Sequence, residues 1–169
     1  MPTLHACPLS RLAETLAATG ADHLVTLVTP GLPVVRPAGV AAGRHLLLAF
    51  GDIAAARPGH VLASDAHLDA FLAFVAAWDR ARPLLIHCYA GISRSTAAAY
   101  VAACALAPAR CEAEVASALR RAAPSATPNP RFVALADARL GRDGRMIAAI
   151  ARIGRGAEAF EGLPFAMPL

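Results

Sequence analysis

The sequence contains no lysine: all sixteen basic residues are arginine, against twelve acidic residues, and the formal net charge is +4. No long run of consecutive basic residues forms the kind of arm that binds nucleic acids, so we expect no nucleic-acid partner. An arginine-only, alanine-rich chain can reflect the base composition of a genome, and a dispersed basic surface is one interpretation of the charge. The alternative is an electric field that attracts anionic substrates.

The sequence also lacks paired cysteines, long apolar runs and a leader. Cys7, Cys88, Cys104 and Cys111 include no CxxC pair, and their spacing from the histidines does not fit a zinc site, so we expect no metal and no cofactor. The longest uncharged stretch, residues 95–109, is shorter than the roughly 20 residues that span a bilayer. No basic-then-apolar leader opens the chain. We therefore expect a cytoplasmic protein with reduced thiols and no membrane partner.

Aromatic residues make up only 5% of the chain, so its core must be built mainly from aliphatic side chains. Apolar residues nevertheless reach 57% and charged residues only 17%, a composition that excludes disorder. We expect a single domain over residues 1–169. No internal repeat is visible.

The order of the predicted elements is that of an α/β protein. Short apolar or β-branched runs predict strands at residues 4–8, 23–28, 45–50 and 84–87. Periodic apolar runs predict six helices. The first lies between the cap Ser10 and Gly20, the second begins after the cap Ser64, and the fifth begins after the cap Asn129 with Pro130 in its first turn. The others are predicted at residues 92–106, 111–122 and 145–153. We expect a central, parallel-rich sheet of about four or five strands flanked by helices, a helical C-terminal half, and a loosely held tail after residue 154.

The chemistry concentrates in residues 87–95, where a short buried strand turns directly into a helix. Such a turn exposes backbone N–H groups at the positive end of the helix dipole, and an anion with several acceptor oxygens, such as phosphate, fits there. Gly91 lets the loop curl without a Cβ. We expect the phosphate-binding segment to comprise Tyr89, Ala90, Gly91, Ile92, Ser93 and Arg94.

Four side chains around this loop have the chemistry of a nucleophilic site. A thiol at a helix N-terminus ionises more readily, and the thiolate of Cys88 would be the nucleophile. Arg94 can hold two phosphate oxygens with its planar fork. Ser95 can donate a hydrogen bond to the sulfur, and His87 can bond the loop backbone and orient Cys88.

This run matches, at every signature position, the protein tyrosine phosphatase motif of His-Cys, five residues, Arg, and Ser or Thr. Over about residues 20–155 the chain resembles the compact dual-specificity branch of that superfamily, and more closely small bacterial members of it. The resemblance implies the cysteine-dependent phosphatase fold and a phosphocysteine intermediate. The alternative is a catalytically weak, phosphate-binding pseudophosphatase.

The resemblance also implies an aspartate on an upstream loop that protonates the leaving oxygen. Asp52 follows the strand ending near Phe50, opens a loop that contains glycine and proline, and precedes Cys88 by thirty-six residues. Phe50-Gly51-Asp52 stands where the receptor-like branch has Trp-Pro-Asp. We therefore predict Asp52 as the general acid, with Asp65 as the alternative.

The predicted substrate is a phosphorylated protein or a small phosphate monoester. The five residues between Cys88 and Arg94 carry no charge, whereas lipid-directed relatives tend to carry lysines there, so a phosphoinositide is the less favoured substrate. The choice between phosphotyrosine and a dual-specificity phosphoprotein stays open, as does the oligomeric state.

Overall fold

The computed structural model describes residues 3–169, which form one five-stranded sheet with six α-helices. The strands are β1 (Thr3–Pro8), β2 (His23–Val28), β3 (His45–Ala49), β4 (Leu84–Cys88) and β5 (Phe165–Pro168). The sheet order is β3-β2-β4-β1-β5; the first four strands run parallel, and β5 is antiparallel to β1. The predicted parallel-rich sheet is thereby confirmed.

The helices cover both faces of the sheet. They are α1 (Leu12–Thr19), α2 (Asp65–Ala77), α3 (Arg94–Leu106), α4 (Glu112–Ala122), α5 (Pro130–Arg139) and α6 (Arg145–Ile153). Helix α1 packs on one face against a small cluster of buried apolar residues, and the side chains of α2–α6 share the main core on the other. The predicted helical C-terminal half is present as α3–α6. No helix in residues 3–169 is long and apolar enough to cross a membrane.

Strand β4 and helix α3 lie at the centre of this arrangement. All five residues of β4 are buried, as expected for a parallel strand covered on both faces. Every residue of α3 from Arg94 to Cys104 is buried, and seven of the first eleven are Ala, Ser or Thr. The small side chains allow α2, α4 and α5 to pack closely around α3. The loop between β4 and α3 is therefore held by the best-packed part of the molecule.

Two of the three predicted helix-capping residues are confirmed. Ser64 is the N-cap of α2, and Asn129 caps α5 through its Oδ1, which accepts a hydrogen bond of 3.0 Å from the Phe132 N–H. The prediction for Ser10 is wrong, because a 3-10 turn over Leu9–Arg11 precedes α1. The Ser10 hydroxyl donates instead to Glu161 in the C-terminal segment, at 2.8 Å.

The prediction of a loosely held tail is also wrong. Strand β5 pairs with β1, and its Phe165 and Met167 side chains are buried in the main core. Before β5, the backbone N–H groups of Gly156 and Gly162 donate to Thr127 and Ala90, at 3.1 and 2.8 Å. The tail thus covers the outer edge of β1 and reaches the loop after β4.

Candidate active site

Backbone carbonyl groups within residues 89–93 point outward, into the surrounding protein. Four of them accept hydrogen bonds from N–H groups of other segments: Tyr89 from Leu9 at 3.1 Å, Ala90 from Gly162 at 2.8 Å, Ile92 from Thr127 at 2.9 Å, and Ser93 from Asn129 at 3.2 Å. The loop is therefore held from outside by the 3-10 turn that follows β1, by the tail and by the segment before α5.

The N–H groups of the loop consequently point inward. The N–H of each residue points away from the preceding carbonyl across a trans peptide, and no peptide of the described residues is cis. The N–H groups of Ala90, Gly91, Ser93 and Arg94 thus face the inner side of the loop. The N–H of Gly91 demonstrates this direction, since it donates to Sγ of Cys88 at 3.2 Å. The inner side is a cradle of donors suited to an anion.

Cys88 lies at the floor of this cradle. It is the last residue of β4 and is 2% exposed. Its Sγ lies 3.1 Å from Oγ of Ser95 and faces the N-terminal end of α3, where the helix dipole is positive. Ser95, the predicted hydrogen-bond partner of the sulfur, is in contact with it, and so is the backbone N–H of Gly91.

The conformation of the loop requires a glycine at position 91. Gly91 has φ of +69°, in the left-handed region. A Cβ built there would lie 2.7 Å from the backbone nitrogen of Pro8 and 3.1 Å from the carbonyl carbon of Cys7. The close approach of β1 therefore excludes any side chain at this position.

Arg94 supplies a buried positive charge that has no carboxylate partner within residues 3–169. It is 6% exposed, and its Nη1 donates to the carbonyl of Phe50 at 2.9 Å and to the Thr29 hydroxyl at 3.2 Å. Its Nε is buried and has no hydrogen-bond acceptor among the residues described. A buried cation with an unsatisfied donor is costly unless an anion compensates it. The edge of the guanidinium formed by Nε and Nη2 is the part left for such an anion.

His87 is fully buried behind the loop. Its Nε2 lies 2.8 Å from the hydroxyl of Thr26 on β2. Burial lowers the pKa of His87 to about 4, although the backbone of Cys88 favours the charged ring. The ring is therefore neutral at physiological pH. Its hydrogen bond is to the side chain of Thr26, and Nδ1 has no partner among the described residues, so the predicted bond to the loop backbone is absent there.

The other cysteines lack the setting of a nucleophile. Burial raises the pKa of Cys7 and of Cys104 to about 11, so both stay protonated at neutral pH. Cys111 is exposed and precedes α4. Only Cys88 combines a sulfur with converging N–H donors and a buried guanidinium in the part of the chain that the structure describes.

Asp52 is exposed, and its carboxylate is bound to the rim of the loop. Its Oδ1 accepts hydrogen bonds from the Ser93 hydroxyl at 2.6 Å and from Nδ2 of Asn129 at 2.8 Å. Both bonds end on one carboxylate oxygen, so Oδ2 remains free to carry a proton. A groove of about 350 Å³ lies beside it, lined by residues that include Ile53, Ile92 and Arg155.

Asp65 points elsewhere. It lies in the first turn of α2, its side chain is 73% exposed, and its Oδ1 lies 4.0 Å from Nη2 of Arg139. No described hydrogen bond or ion pair joins it to residues 87–95.

The remaining loop side chains vary in exposure: Tyr89 is 60% exposed, whereas Ala90, Ile92 and Ser93 are half-buried.

Three residues of the site were not found from the sequence as functional candidates. Thr26 and Thr29 contact His87 and Arg94 across 61 and 65 positions of chain, and nothing local marks them. Asn129 was predicted only as a helix cap. Because its Oδ1 is committed to the Phe132 N–H, its Nδ2 donors must find another acceptor, and that requirement was the available signal.

Solved structures with the same fold are dual-specificity phosphatases. The chain is similar to human DUSP28, with a TM-score of 0.60 and 25% identity over 88% of this chain and 94% of that chain. Its fold is similar to that of DUSP15, with a TM-score of 0.63 and 17% identity over 90% and 92% of the two chains. The chain is a dual-specificity-like member of the protein tyrosine phosphatase superfamily.

Membership of the superfamily confirms the resemblance based on residues 87–95 and supports a phosphatase function in general. A bacterial source remains a prediction. No protein-family model and no curated protein matches the chain. The reaction of this chain is therefore inferred from the geometry of its own site.

Proposed function

We propose that the chain is a cysteine-dependent phosphatase that hydrolyses phosphate monoesters through a phosphocysteine intermediate. The observation that carries the proposal is the buried, unpartnered Nε of Arg94, which stands at a loop whose N–H groups converge around the sulfur of Cys88. Together these donors match the several oxygens of a phosphoryl group.

In the first step, the Cys88 thiolate attacks phosphorus and an S–P bond forms while the ester P–O bond breaks. The loop N–H groups and Arg94 hold the nonbridging oxygens. The leaving oxygen takes a proton from Asp52, whose free Oδ2 is available because Oδ1 is bound by Ser93 and Asn129.

In the second step, a water molecule attacks phosphorus and gives a proton to the Asp52 carboxylate. The S–P bond breaks, inorganic phosphate leaves, and the sulfur departs as a thiolate. The Cys88 thiol donates to Oγ of Ser95 at 3.1 Å, and once the sulfur is a thiolate the Ser95 hydroxyl can reverse this bond, donate to the sulfur and stabilise it as a leaving group. Atoms and charge balance without a metal or a redox partner.

The substrate class proposed is a phosphotyrosine or dual-specificity phosphoprotein, with a small phosphate monoester as the minimal substrate. The leaving group would extend from the loop past Asp52 into the neighbouring groove, which is walled partly by Ile53 and Ile92. We place the enzyme in the cytoplasm, where the thiol stays reduced.

The test is hydrolysis of p-nitrophenyl phosphate with EDTA present throughout. We expect turnover by the wild type, loss of at least about a thousandfold in Cys88→Ser, and unchanged turnover in Cys111→Ser, which removes an exposed thiol far along the chain. A wild type that binds orthovanadate in EDTA-free buffer but releases no phosphate would instead establish the pseudophosphatase alternative. Full activity of Cys88→Ser would remove Cys88 from the mechanism.

A further inference from the structure

The groove beside Asp52 contains a second charged side chain that the proposed reaction does not use. In the described part of the chain, the charged residues that line this groove are Asp52 and Arg155, and Arg155 lies in the segment between α6 and β5. The rest of the wall is uncharged and includes Ile53 and Ile92. Asp52 carries a proton before the first step of the proposed reaction, so the charge that remains in the groove is that of Arg155.

The backbone before Arg155 is held in place by Arg120, which lies near the end of α4. Nη1 of Arg120 donates to the carbonyl of Ala126 at 2.8 Å, and Nη2 donates to the carbonyl of Gly154 at 2.6 Å. The same guanidinium also reaches a neighbouring carbonyl in each of the two segments. One side chain therefore joins the turn after α6 to the segment before α5, and Arg155 follows this junction directly.

The backbone after Arg155 is bound to the same segment. The N–H of Gly156 donates to the Thr127 hydroxyl at 3.1 Å, and the N–H of Thr127 donates to the carbonyl of Ile92 at 2.9 Å. A Cβ built on Gly156 would lie 2.4 Å from the carbonyl carbon of Ser125, so the two segments are in direct backbone contact. Two hydrogen bonds thus connect the neighbour of Arg155 to the loop after β4, and they fix its position relative to that loop before a substrate binds.

The side chain of Arg155, in contrast, has only a weak partner within residues 3–169. It is 79% exposed, and its Nη2 lies 3.9 Å from Oε1 of Glu158, whose side chain is 93% exposed. This separation is longer than a hydrogen bond, and an exposed ion pair of this kind contributes little. The guanidinium is therefore available to another anion, and its planar fork matches the two oxygens of a carboxylate or a phosphoryl group.

We propose that Arg155 is a specificity-determining residue, which binds an oxyanion on a residue that flanks the phosphorylated one in the substrate. The inference rests on the proposed function, because a phosphoryl group held in the loop is what would place the flanking residues of a peptide along the groove. The oxyanion is either the carboxylate of an aspartate or glutamate or a second phosphoryl group. The enzyme should then prefer acidic or doubly phosphorylated sequences to neutral or basic ones.

The test uses phosphotyrosine peptides that are identical except for the residues on both sides of the phosphotyrosine, which are alanine, glutamate, phosphoserine or lysine. The ultraviolet absorbance of the tyrosine formed follows the reaction. We expect a wild-type kcat/KM about three- to fivefold higher with glutamate than with alanine, mainly through KM, because the ion pair contributes to binding rather than to chemistry. An equal preference for phosphoserine would show that both oxyanions bind, and a preference for one of the two would identify the one that Arg155 binds.

Reversal of the charge gives the sharpest comparison. Arg155→Glu should invert the preference, so that the lysine peptide becomes a better substrate than the glutamate peptide. Arg152→Glu makes the same change on an exposed residue of α6 that lines a different cavity, and it should keep the wild-type ratio. An effect of the new charge on the chemistry at Cys88 is common to all peptides and cancels in this ratio. An unchanged ratio in Arg155→Glu, or the same change in both variants, would overturn the proposal.

Two further measurements separate failure of this proposal from failure of the proposed function. Wild-type turnover of p-nitrophenyl phosphate, which has no flanking residues, tests the phosphatase chemistry alone. The Kd values of the same peptides for Cys88→Ser protein, with and without Arg155→Glu, test recognition of the oxyanion without turnover, and we expect the same order of preference. The preference should nearly disappear at about 0.5 M salt, because salt screens exposed charges. A preference that persists at high salt would not arise from charge and would also refute the proposal.

Discussion

At the scale of single residues, the polar side chains of the site each have one atom held by hydrogen bonds within the protein, which leaves another atom available to the substrate. Asp52 is the clearest case: its Oδ1 accepts two hydrogen bonds, which leaves Oδ2 as the oxygen for the proposed proton transfer. Arg94 is similar, because Nη1 is committed to Phe50 and Thr29. Such commitments orient the free atoms toward the reaction before a substrate arrives.

Removal of Asp52, the proposed general acid, should lower kcat more strongly for substrates whose leaving group is more basic. We expect Asp52→Asn to lower kcat for phenyl phosphate by about a hundredfold or more, and kcat for p-nitrophenyl phosphate much less, because p-nitrophenolate leaves without a proton. Asp65→Asn is the matched control and should alter neither rate. Equal losses on both substrates in Asp52→Asn would exclude Asp52 as the general acid.

Asn129 joins Asp52, the proposed general acid, to the helix that Asn129 caps. The side chain in Asn129→Ser can still cap α5 but cannot reach Asp52, so the free energy of unfolding should change by less than about 1 kcal/mol. Turnover of phenyl phosphate should fall about tenfold, because Oδ1 loses one of its two donors. Unfolding in denaturant and steady-state kinetics measure the two effects. A drop in stability with normal turnover would leave Asn129 as a cap only.

At the scale of elements, the site is made where β1, β4 and α3 meet. Gly91 shows how closely they approach, since its backbone contacts Pro8 and Cys7 of β1 without room for a Cβ. The strand, the loop and the helix therefore fit together only in this conformation.

Gly91→Ala should disrupt this junction. Gly20, which ends α1, has a similar φ of +65° but open space around it. We expect Gly20→Ala to cost about 1 kcal/mol in unfolding free energy with normal turnover. Gly91→Ala should also lower kcat by at least about a hundredfold, because the loop must move to relieve the contact with Pro8. Comparable kcat values for the two variants would contradict the assigned loop geometry.

Contacts between elements also explain which parts of the fold could be predicted from the sequence. The strand-loop-helix at residues 84–106 is a local pattern with a specific motif, and it was predicted with nearly correct bounds. Strand β5 was missed because it has four residues, includes Pro168 and pairs with the opposite end of the chain. Ser10 does not cap α1 because it lies in the 3-10 turn Leu9–Arg11, and its hydroxyl instead bonds Glu161, 151 residues away. Contacts of this kind do not leave a local signal.

At the scale of the whole molecule, the C-terminal helices are joined by a buried ion pair. Glu112 on α4 is bound by Arg142 at 2.9 Å and by Arg145 at 3.2 Å, and its side chain is 8% exposed. The backbone N–H of Glu112 and the two guanidinium groups hold its pKa below the usual range, against the opposing effect of burial. The ion pair with Arg145 links the first turn of α6 to the first turn of α4.

This ion pair should make stability depend on pH. The pKa of Glu112 is lower in the folded than in the unfolded chain, so its contribution is full above about pH 5 and is lost as the pH falls through the folded value. We expect Glu112→Gln to lower the unfolding free energy by about 2 kcal/mol at pH 7 and to have a progressively smaller effect as the pH falls through the folded pKa of Glu112. Glu114→Gln, on the exposed side of the same turn, should be nearly neutral across this range. A pH-independent difference for Glu112→Gln would contradict the assignment.

The measurement that tests the central claim most directly is capture of the intermediate on Cys88. Asp52→Asn protein is mixed with p-nitrophenyl phosphate and quenched in acid within milliseconds, and its peptides are mapped by mass spectrometry. Loss of the base slows hydrolysis of the intermediate, so one phosphoryl group should be found on the peptide carrying Cys88, and none on those with Cys7, Cys104 or Cys111. A steady release of phosphate with no label on Cys88 at any quench time, or label on another residue, would contradict the account.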